Sequence, residues 1–357
     1  MCILRMSISY EIKIFSPNKK AVLSICMRAV FCLYLARVSN KKKPIIKTNF
    51  HQRNKHREGY DFELLSKAYS GLTPFVRPNK YGNLSIDYSD PKGVKALNTA
   101  LLAAHYDIQE WDIPEGYLCP AIPGRADYLH YIADLLGYVN TKGIPRGPGI
   151  KAIDIGSGAS CVYALVGARS YKWSFVATDI DKKAIQNIDR IIEANPSLKE
   201  QLQSRLQTNP KKIFKGVILK DEYFDVTICN PPYYTSAEEA KASTTRKFNN
   251  LHKGKGGPVV SNFGGNNKEL WCEGGELFFI LNMIKESKSV AKQCLLFSTL
   301  VSNKDNLDHL LDELKRANST QHQIVKMAHG NKRSRILSWT FLNDKEIKAW
   351  TGYRWNQ

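Results

Sequence analysis

Asn230-Pro231-Pro232-Tyr233 sets an amide, a backbone carbonyl and an aromatic ring next to one another. Two hydrogen-bond acceptors beside a planar ring suit the holding of a flat base that carries an amino group. The acceptors take the two N–H bonds, and the ring stacks on the base. Just upstream, Phe224 to Cys229 is a short apolar, β-prone run that stops at the two prolines. Such a run bounded by breakers predicts a buried strand ending at or before Asn230, because proline cannot donate to a sheet ladder. The four residues therefore form a stiff turn at the carboxyl end of a strand, where open α/β sheets bind their ligands.

A second constellation lies about seventy residues earlier. Ile150 to Ile155 predicts a strand, Gly156-Ser157-Gly158-Ala159-Ser160 a glycine turn, and Cys161 to Ala168 a helix. Glycines there allow positive φ and a close approach of backbone to ligand. Asp154 precedes the turn, and Asp179 ends the next strand, Ser174 to Thr178. A carboxylate at the second position can accept both ribose hydroxyls of an adenosyl group. A dinucleotide oxidoreductase would share this arrangement, but the turn lacks a third glycine and such an enzyme has no use for Asn-Pro-Pro-Tyr. The tetrapeptide is the pattern of methyltransferases that act on amino nitrogens, so S-adenosylmethionine is the expected cofactor. Arg125 stands before a helix (Ala126 to Gly137) in a loop stiffened by Pro120, Pro123 and Gly124. A cation opposes the helix dipole there, which points to another partner such as a carboxylate.

These residues need elements to position them. Asp181 caps a helix running to about Ala194. Ile213 to Ile218 predicts a weaker strand before Phe224–Cys229, and Cys294 to Val301 a further one. Helices are expected from Gly274 to Val290 and Lys304 to Ala317, with a final antiparallel pair over 323–328 and 336–342. The sum is an α/β fold, a doubly wound seven-stranded mixed sheet. If its order reverses at the glycine-turn strand, Gly156 and Asn230 become neighbours across one crevice. Thr235 to Leu270, polar, glycine-rich and carrying several lysines, is expected to act as a flap over the substrate.

The net charge is +19, from 52 Lys+Arg against 33 Asp+Glu, in a chain of 357 residues. Residues 1–60 hold 13 basic and 2 acidic residues, a surplus of 11 of that 19. Such an arm favours polyanionic partners. Arg53, Lys55 and Arg57 alternate with His51, His56 and Tyr60, so cations that reach phosphates lie beside rings that stack on bases. The eight cysteines form no C-x-x-C pair or Cys/His cluster, so neither a metal site nor a disulfide framework is expected. A reducing cytoplasm suits them. Ala21 to Val38 is apolar but interrupted by Arg28, too short for the ~20 residues of a membrane span. Residues 1–45 are read as an extension outside the fold, 46–125 as a small, mainly helical basic module that binds RNA, 126–345 as the catalytic domain, and 346–357 as a tail.

Several stretches together resemble one family. They are His51-x-Arg53-Asn54-x-His56, Val76-Arg77-Pro78-Asn79-x-Tyr81-Gly82, Asp154 to Cys161, Asn230 to Tyr233, Glu273 to Glu276 and Val301 to Asp305. Over residues 48–343 the chain is similar to ribosomal RNA large subunit methyltransferase F, a class I S-adenosylmethionine-dependent family. The resemblance implies N6-methylation of one adenine of 23S rRNA (the family's adenine-1618 site), on free RNA or a large-subunit assembly intermediate, by a monomer without metal. It implies that Asn230, Pro231, Pro232 and Tyr233 hold the base. It places Arg125 on the methionine carboxylate, Asp154, Gly156, Gly158 and Ser160 around the cofactor, and Asp179 on its ribose. It makes Arg53, Lys55 and Arg57 RNA contacts. Related enzymes often have Phe where this chain has Tyr233, and since both rings stack, little consequence is expected. Two alternatives stay open: an amino methyltransferase with another acceptor (guanine N2, a different adenine, a protein glutamine), and an RNA-binding protein on an idle scaffold.

Overall fold

The computed structural model describes residues 50–140, 142–242, 267–329 and 332–355. The extension read at 1–45, the central part of the expected flap and the tip of the last hairpin fall outside them. Residues 46–357 cluster as one compact unit.

The unit begins with α1 (Phe62–Ala68), a 3-10 turn (Ser70–Phe75) and a two-stranded hairpin, β1 (Arg77–Pro78) with β2 (Leu84–Ser85). Then α2 (Pro91–Tyr106) starts as the Asp90-Pro91 pair predicts: the Asp90 carboxylate accepts from the Lys92 N–H at 2.9 Å, and Pro91 fills the first turn. Helix α3 (Ile122–Tyr138) follows, so the division anticipated at 125/126 falls inside its first turn.

The strands of the main sheet are β3 (Lys151–Ile155), β4 (Ser174–Asp179), β5 (Leu202–Leu206), β6 (Phe224–Cys229), β7 (Cys294–Val301), β8 (Gln321–His329) and β9 (Lys332–Thr340). Their order is β5-β4-β3-β6-β7-β9-β8. The first five are parallel and the last two antiparallel. Alternate residues face opposite layers. Val226 and Ile228 of β6 pack with α2, α3, α4 (Val162–Tyr171) and α5 (Lys182–Ala194). Cys229 packs with α7 (Gly275–Ser287) and α8 (Leu307–Ala317), α6 (Asn267–Leu270) being a single turn before them. All six residues of β6 are buried, as a central strand covered on both faces requires.

Two expectations fail in instructive ways. The third parallel strand is Leu202–Leu206, not Ile213–Ile218. The edge strand Leu202-Gln203-Ser204-Arg205-Leu206 is half polar, because only its inner neighbour and one face need apolar cover. Phe214 and Val217 are fully buried, yet their backbone makes a turn. The Glu286 carboxylate accepts from the N–H groups of Ile213, Phe214 and Lys215 at 2.7–3.1 Å, satisfying donors that a strand would pair with a ladder. The segment read as a tail, 346–357, instead lies mostly in helix α9 (Asp344–Arg354), begun by an Asn343/Glu346 capping box. The indole N–H groups of Trp350 and Trp355 both donate to the Asp225 carboxylate at 2.7 Å. The Lys151 N–H reaches its other oxygen at 2.7 Å. Asp225, fully buried at the start of β6, thereby has donors on both carboxylate oxygens, as a buried charge requires.

Candidate active site

The register of β3 on β6 pairs Ile155 with Cys229, and that of β3 on β4 pairs Ile155 with Thr178. Gly156, Asp179 and Asn230 therefore leave their strands at the same level. They open onto a cavity of about 600 Å³ at the carboxyl ends of the strands, which Arg125, Gly158, Ser160, Pro231 and Pro232 also line.

One wall is the glycine turn. Gly156 and Gly158 take φ of 70° and 62°, where L-residues are strained. The Gly158 N–H donates to Asp179 Oδ2 and the Asp181 N–H to Oδ1, each at 2.9 Å, which fixes the carboxylate's plane while leaving lone pairs on both oxygens. Burial raises the Asp179 pKa, and those backbone donors oppose the shift. Asp154 does not line the cavity. It is 0% exposed beneath the turn, and among the described residues neither carboxylate oxygen has a hydrogen bond of ordinary geometry. Burial pushes its carboxyl up to about 7, against the Ser157 hydroxyl and the Arg125 charge. Asp154 instead supports the turn through its carbonyl, which accepts from Thr178 Oγ1 at 2.9 Å and Ser157 Oγ at 3.2 Å.

Arg125 lies in the first turn of α3, its guanidinium 5.6 Å from the centre of the Tyr163 ring. Among the described residues it forms no ion pair. The buried Tyr163 hydroxyl and Trp271 indole N–H likewise have no hydrogen-bond partner there, and both residues line the cavity. A half-buried cation facing a cavity with unpaired polar groups suits a ligand with a carboxylate and further polar atoms. Sequence alone did not single out Tyr163, Trp271 or Glu269. Glu269 Oε2 accepts from the Leu118 N–H at 2.9 Å, so this residue spans the cavity mouth from the acceptor side to the loop before α3. Nothing local in the sequence marks that contact across 151 positions.

The opposite wall is the tetrapeptide. The N–H groups of Tyr233 and Tyr234 donate to the Leu270 carbonyl at 3.0 Å, and the Cys272 N–H returns to the Tyr234 carbonyl at 3.0 Å. Residues 233–234 and 270–272 are thus stitched together across the intervening segment. Beyond them, buried Glu276 accepts from the Ser302 N–H and hydroxyl at 2.6 Å, the Asn303 N–H at 3.1 Å and Asn306 Nδ2 at 2.8 Å. Two of the sequence stretches behind the resemblance, Glu273–Glu276 and Val301–Asp305, are one clamp. Tyr233 departs from expectation. Its ring does not line the cavity; its hydroxyl donates to Asn230 Oδ1, and burial pushes its pKa up to about 12. A phenylalanine could not make that bond, so the exchange is not neutral.

Of the three cations expected on RNA, Arg53 is engaged by the body of the protein, while Lys55 stays exposed and Arg57 bonds within its own segment. Arg53 donates to Tyr171 Oη at 3.0 Å, the His130 carbonyl at 2.7 Å and Asp134 at 2.7 Å. Lys55 Nζ donates to the His105 carbonyl at 2.6 Å, and Arg57 donates to the Gln52 carbonyl at 3.3 Å. With His51 on Asp134 at 2.8 Å and Asn54 on the Pro123 carbonyl at 2.9 Å, Arg53 fastens this segment to α3, the helix that carries Arg125. The described residues contain no group of three potential metal ligands and no helix long and apolar enough to cross a membrane.

Comparison with known proteins places this geometry. A family model described as RNA methyltransferase matches residues 45–343. Ribosomal RNA large subunit methyltransferase F of Shewanella denitrificans is 51% identical, covering 85% of this chain and 86% of its own length. The protein of that name from Flavobacterium johnsoniae is 50% identical, over 85% of this chain and 97% of its own. Among solved structures, the hMettl16 catalytic domain in complex with MAT2A 3′UTR hairpin 1 superposes with TM-score 0.70 at 28% identity, over 83% of this chain and 97% of that one. The N-terminal domain of human METTL16 in complex with SAH gives TM-score 0.64 at 26% identity, over 82% and 99%.

Proposed function

Because the chain belongs to the ribosomal RNA large subunit methyltransferase F family and is an S-adenosylmethionine-dependent RNA methyltransferase, we propose that its cavity methylates N6 of one adenine in 23S rRNA, free or in a large-subunit assembly intermediate. The observation that carries this reading is the shared cavity: Gly156 and Asn230 lie level across β3 and β6, with Arg125 and Asp179 on the same walls.

The residues present fit the cofactor. Arg125, without an ion-pair partner among the described residues, would take the methionine carboxylate, and Asp179 with its two oxygens held in plane would take the ribose hydroxyls. Gly156, Gly158 and Ser160 give a wall that backbone can line closely. When bound, S-adenosylmethionine supplies an electrophilic methyl group. The chain's own part is to present a poor nucleophile, because the lone pair of an adenine amino nitrogen is delocalised into its ring. Asn230 Oδ1 and the Pro231 carbonyl accept the two N–H bonds, turn the nitrogen toward the donor side, and stabilise positive charge as it develops there. Pro231 and Pro232 keep those acceptors from moving. No strong general base is needed, since the proton leaves a nitrogen whose acidity has risen sharply. Positioning and fixed dipoles supply most of the acceleration.

Asn230→Ala is expected to lower kcat at least a hundredfold, in line with loss of one preorganised polar group, while the affinity for S-adenosylhomocysteine in calorimetry is unchanged. Methylation retained by this variant would overturn the assignment. Mapping N6-methyladenosine in rRNA from cells with and without the protein identifies the target.

A further inference from the structure

Eight consecutive residues, Arg77 to Leu84, are exposed. They form the β1–β2 hairpin, and its tip is stiff. The Gly82 N–H bonds the Asn79 carbonyl at 2.9 Å and the Asn79 N–H bonds the Asn83 carbonyl at 2.8 Å. Asn79 Oδ1 accepts from the Tyr81 and Asn83 N–H groups at 2.9 and 3.2 Å, and Gly82 supplies the left-handed φ of 78° that closes the loop. On this frame Tyr81 is 71% exposed, with Lys80 Nζ 4.9 Å from the centre of its ring. Leu84 at 45% and Tyr88 at 47% continue the uncovered surface. No acidic residue occurs between Arg77 and Ile86.

We propose that this hairpin is a stacking finger for RNA: Tyr81 stacks on an unpaired base of the substrate strand outside the methyl-transfer cavity, while Lys80 and Arg77 meet the flanking phosphates. None of the three lines the cavity, so the contact is separate from the one that holds the target adenine. RNA fits better than a protein groove. A ring flanked by cations and the amides of Asn79 and Asn83 matches a base between phosphates, whereas an apolar groove would want neighbouring apolar side chains without charge. The chain's substrate is RNA, and Arg53 is taken up by Asp134 and the His130 carbonyl, whereas Lys80 and Tyr81 stand exposed on the hairpin. Rigidity adds to the case, since a tip already locked by Asn79 loses little freedom on binding.

The proposal rests on an RNA substrate but not on which base is modified. Its test uses the full chain and two fluorescent probes, a 30-nucleotide mixed-sequence single-stranded oligoribonucleotide and a blunt RNA duplex of equal length. Tyr81→Ala is expected to weaken single-strand binding about tenfold and duplex binding less than twofold; Tyr81→Phe retains wild-type affinity. Lys80→Ala lowers the slope of log K against log salt by about 0.7, which Tyr81→Ala does not. The thermal shift with S-adenosylhomocysteine reports that each variant is folded. Unchanged single-strand binding by Tyr81→Ala, or equal losses on both probes, would overturn the stacking finger. If Tyr81→Ala behaves as expected but the methylated base is not adenine, the finger stands and the proposed reaction falls.

Discussion

Asp154→Asn tests the buried carboxyl beneath the glycine turn. Asp154 is 0% exposed, and its carboxyl titrates near 7 in the folded protein against an ordinary 3.8. A gap of about three units corresponds to about 4 kcal/mol at roughly 1.4 kcal/mol per unit. The sign follows from proton counting. Between about pH 4 and 7 the native state keeps a proton that the unfolded chain has lost, so stability falls as pH rises and levels off above the folded value. An asparagine cannot ionise and removes that dependence. Urea unfolding followed by tryptophan fluorescence, from pH 4.5 to 8, should show the variant gaining on wild type by up to about 4 kcal/mol at the upper end. The difference between the two curves is the quantity to read, because Asp127, raised to about 6 by burial, tilts both alike. A difference independent of pH would mean that Asp154 is ionised in the native protein and would refute the reasoning.

Two further outcomes concern residues whose contacts the structure redefines. Tyr233→Phe removes the hydroxyl that donates to Asn230 Oδ1; a bond worth about 1 kcal/mol predicts a roughly fivefold fall in kcat with cofactor affinity unchanged, and an equal or faster rate would show that the hydroxyl competes with the base instead of orienting the amide. Arg53→Ala should cost roughly 2 kcal/mol of stability, since it strips a charge-assisted bond from Asp134, while leaving the salt dependence of RNA binding at its wild-type slope; a flatter slope would return Arg53 to the RNA surface.

What the sequence made legible was what chain breakers announce. The glycines after Ile155 and the prolines after Asn230 each end a buried strand, and their chemistry lies at those ends. The edge strand Leu202–Leu206 was hidden because Gln203, Ser204 and Arg205 answer to solvent on one side. Ile213–Ile218 misled because burial of Phe214 and Val217 is satisfied in a turn as well as in a strand. Arg53, Lys55 and Arg57 show the limit most plainly. Their alternation with rings is visible locally, but the acid that takes up Arg53 is Asp134, 81 residues away. Distance in sequence likewise concealed Trp350 and Trp355, whose spacing has no helical stripe and whose target, Asp225, precedes them by more than a hundred positions.

That last contact bears on how the protein is made. Trp350 and Trp355 follow Asp225 by 125 and 130 residues. At ordinary rates of synthesis the wait is on the order of ten seconds. Throughout it the residues of β3, β4 and the glycine turn have been made, whereas the strand that presents Asn230 lacks the two indole donors of its carboxylate. The contacts that orient Asp179 lie within residues 158–181, whereas those of Asp225 wait for residue 355. The start of the strand that presents Asn230 thus gains its last two donors only once residues 350–355 have been made.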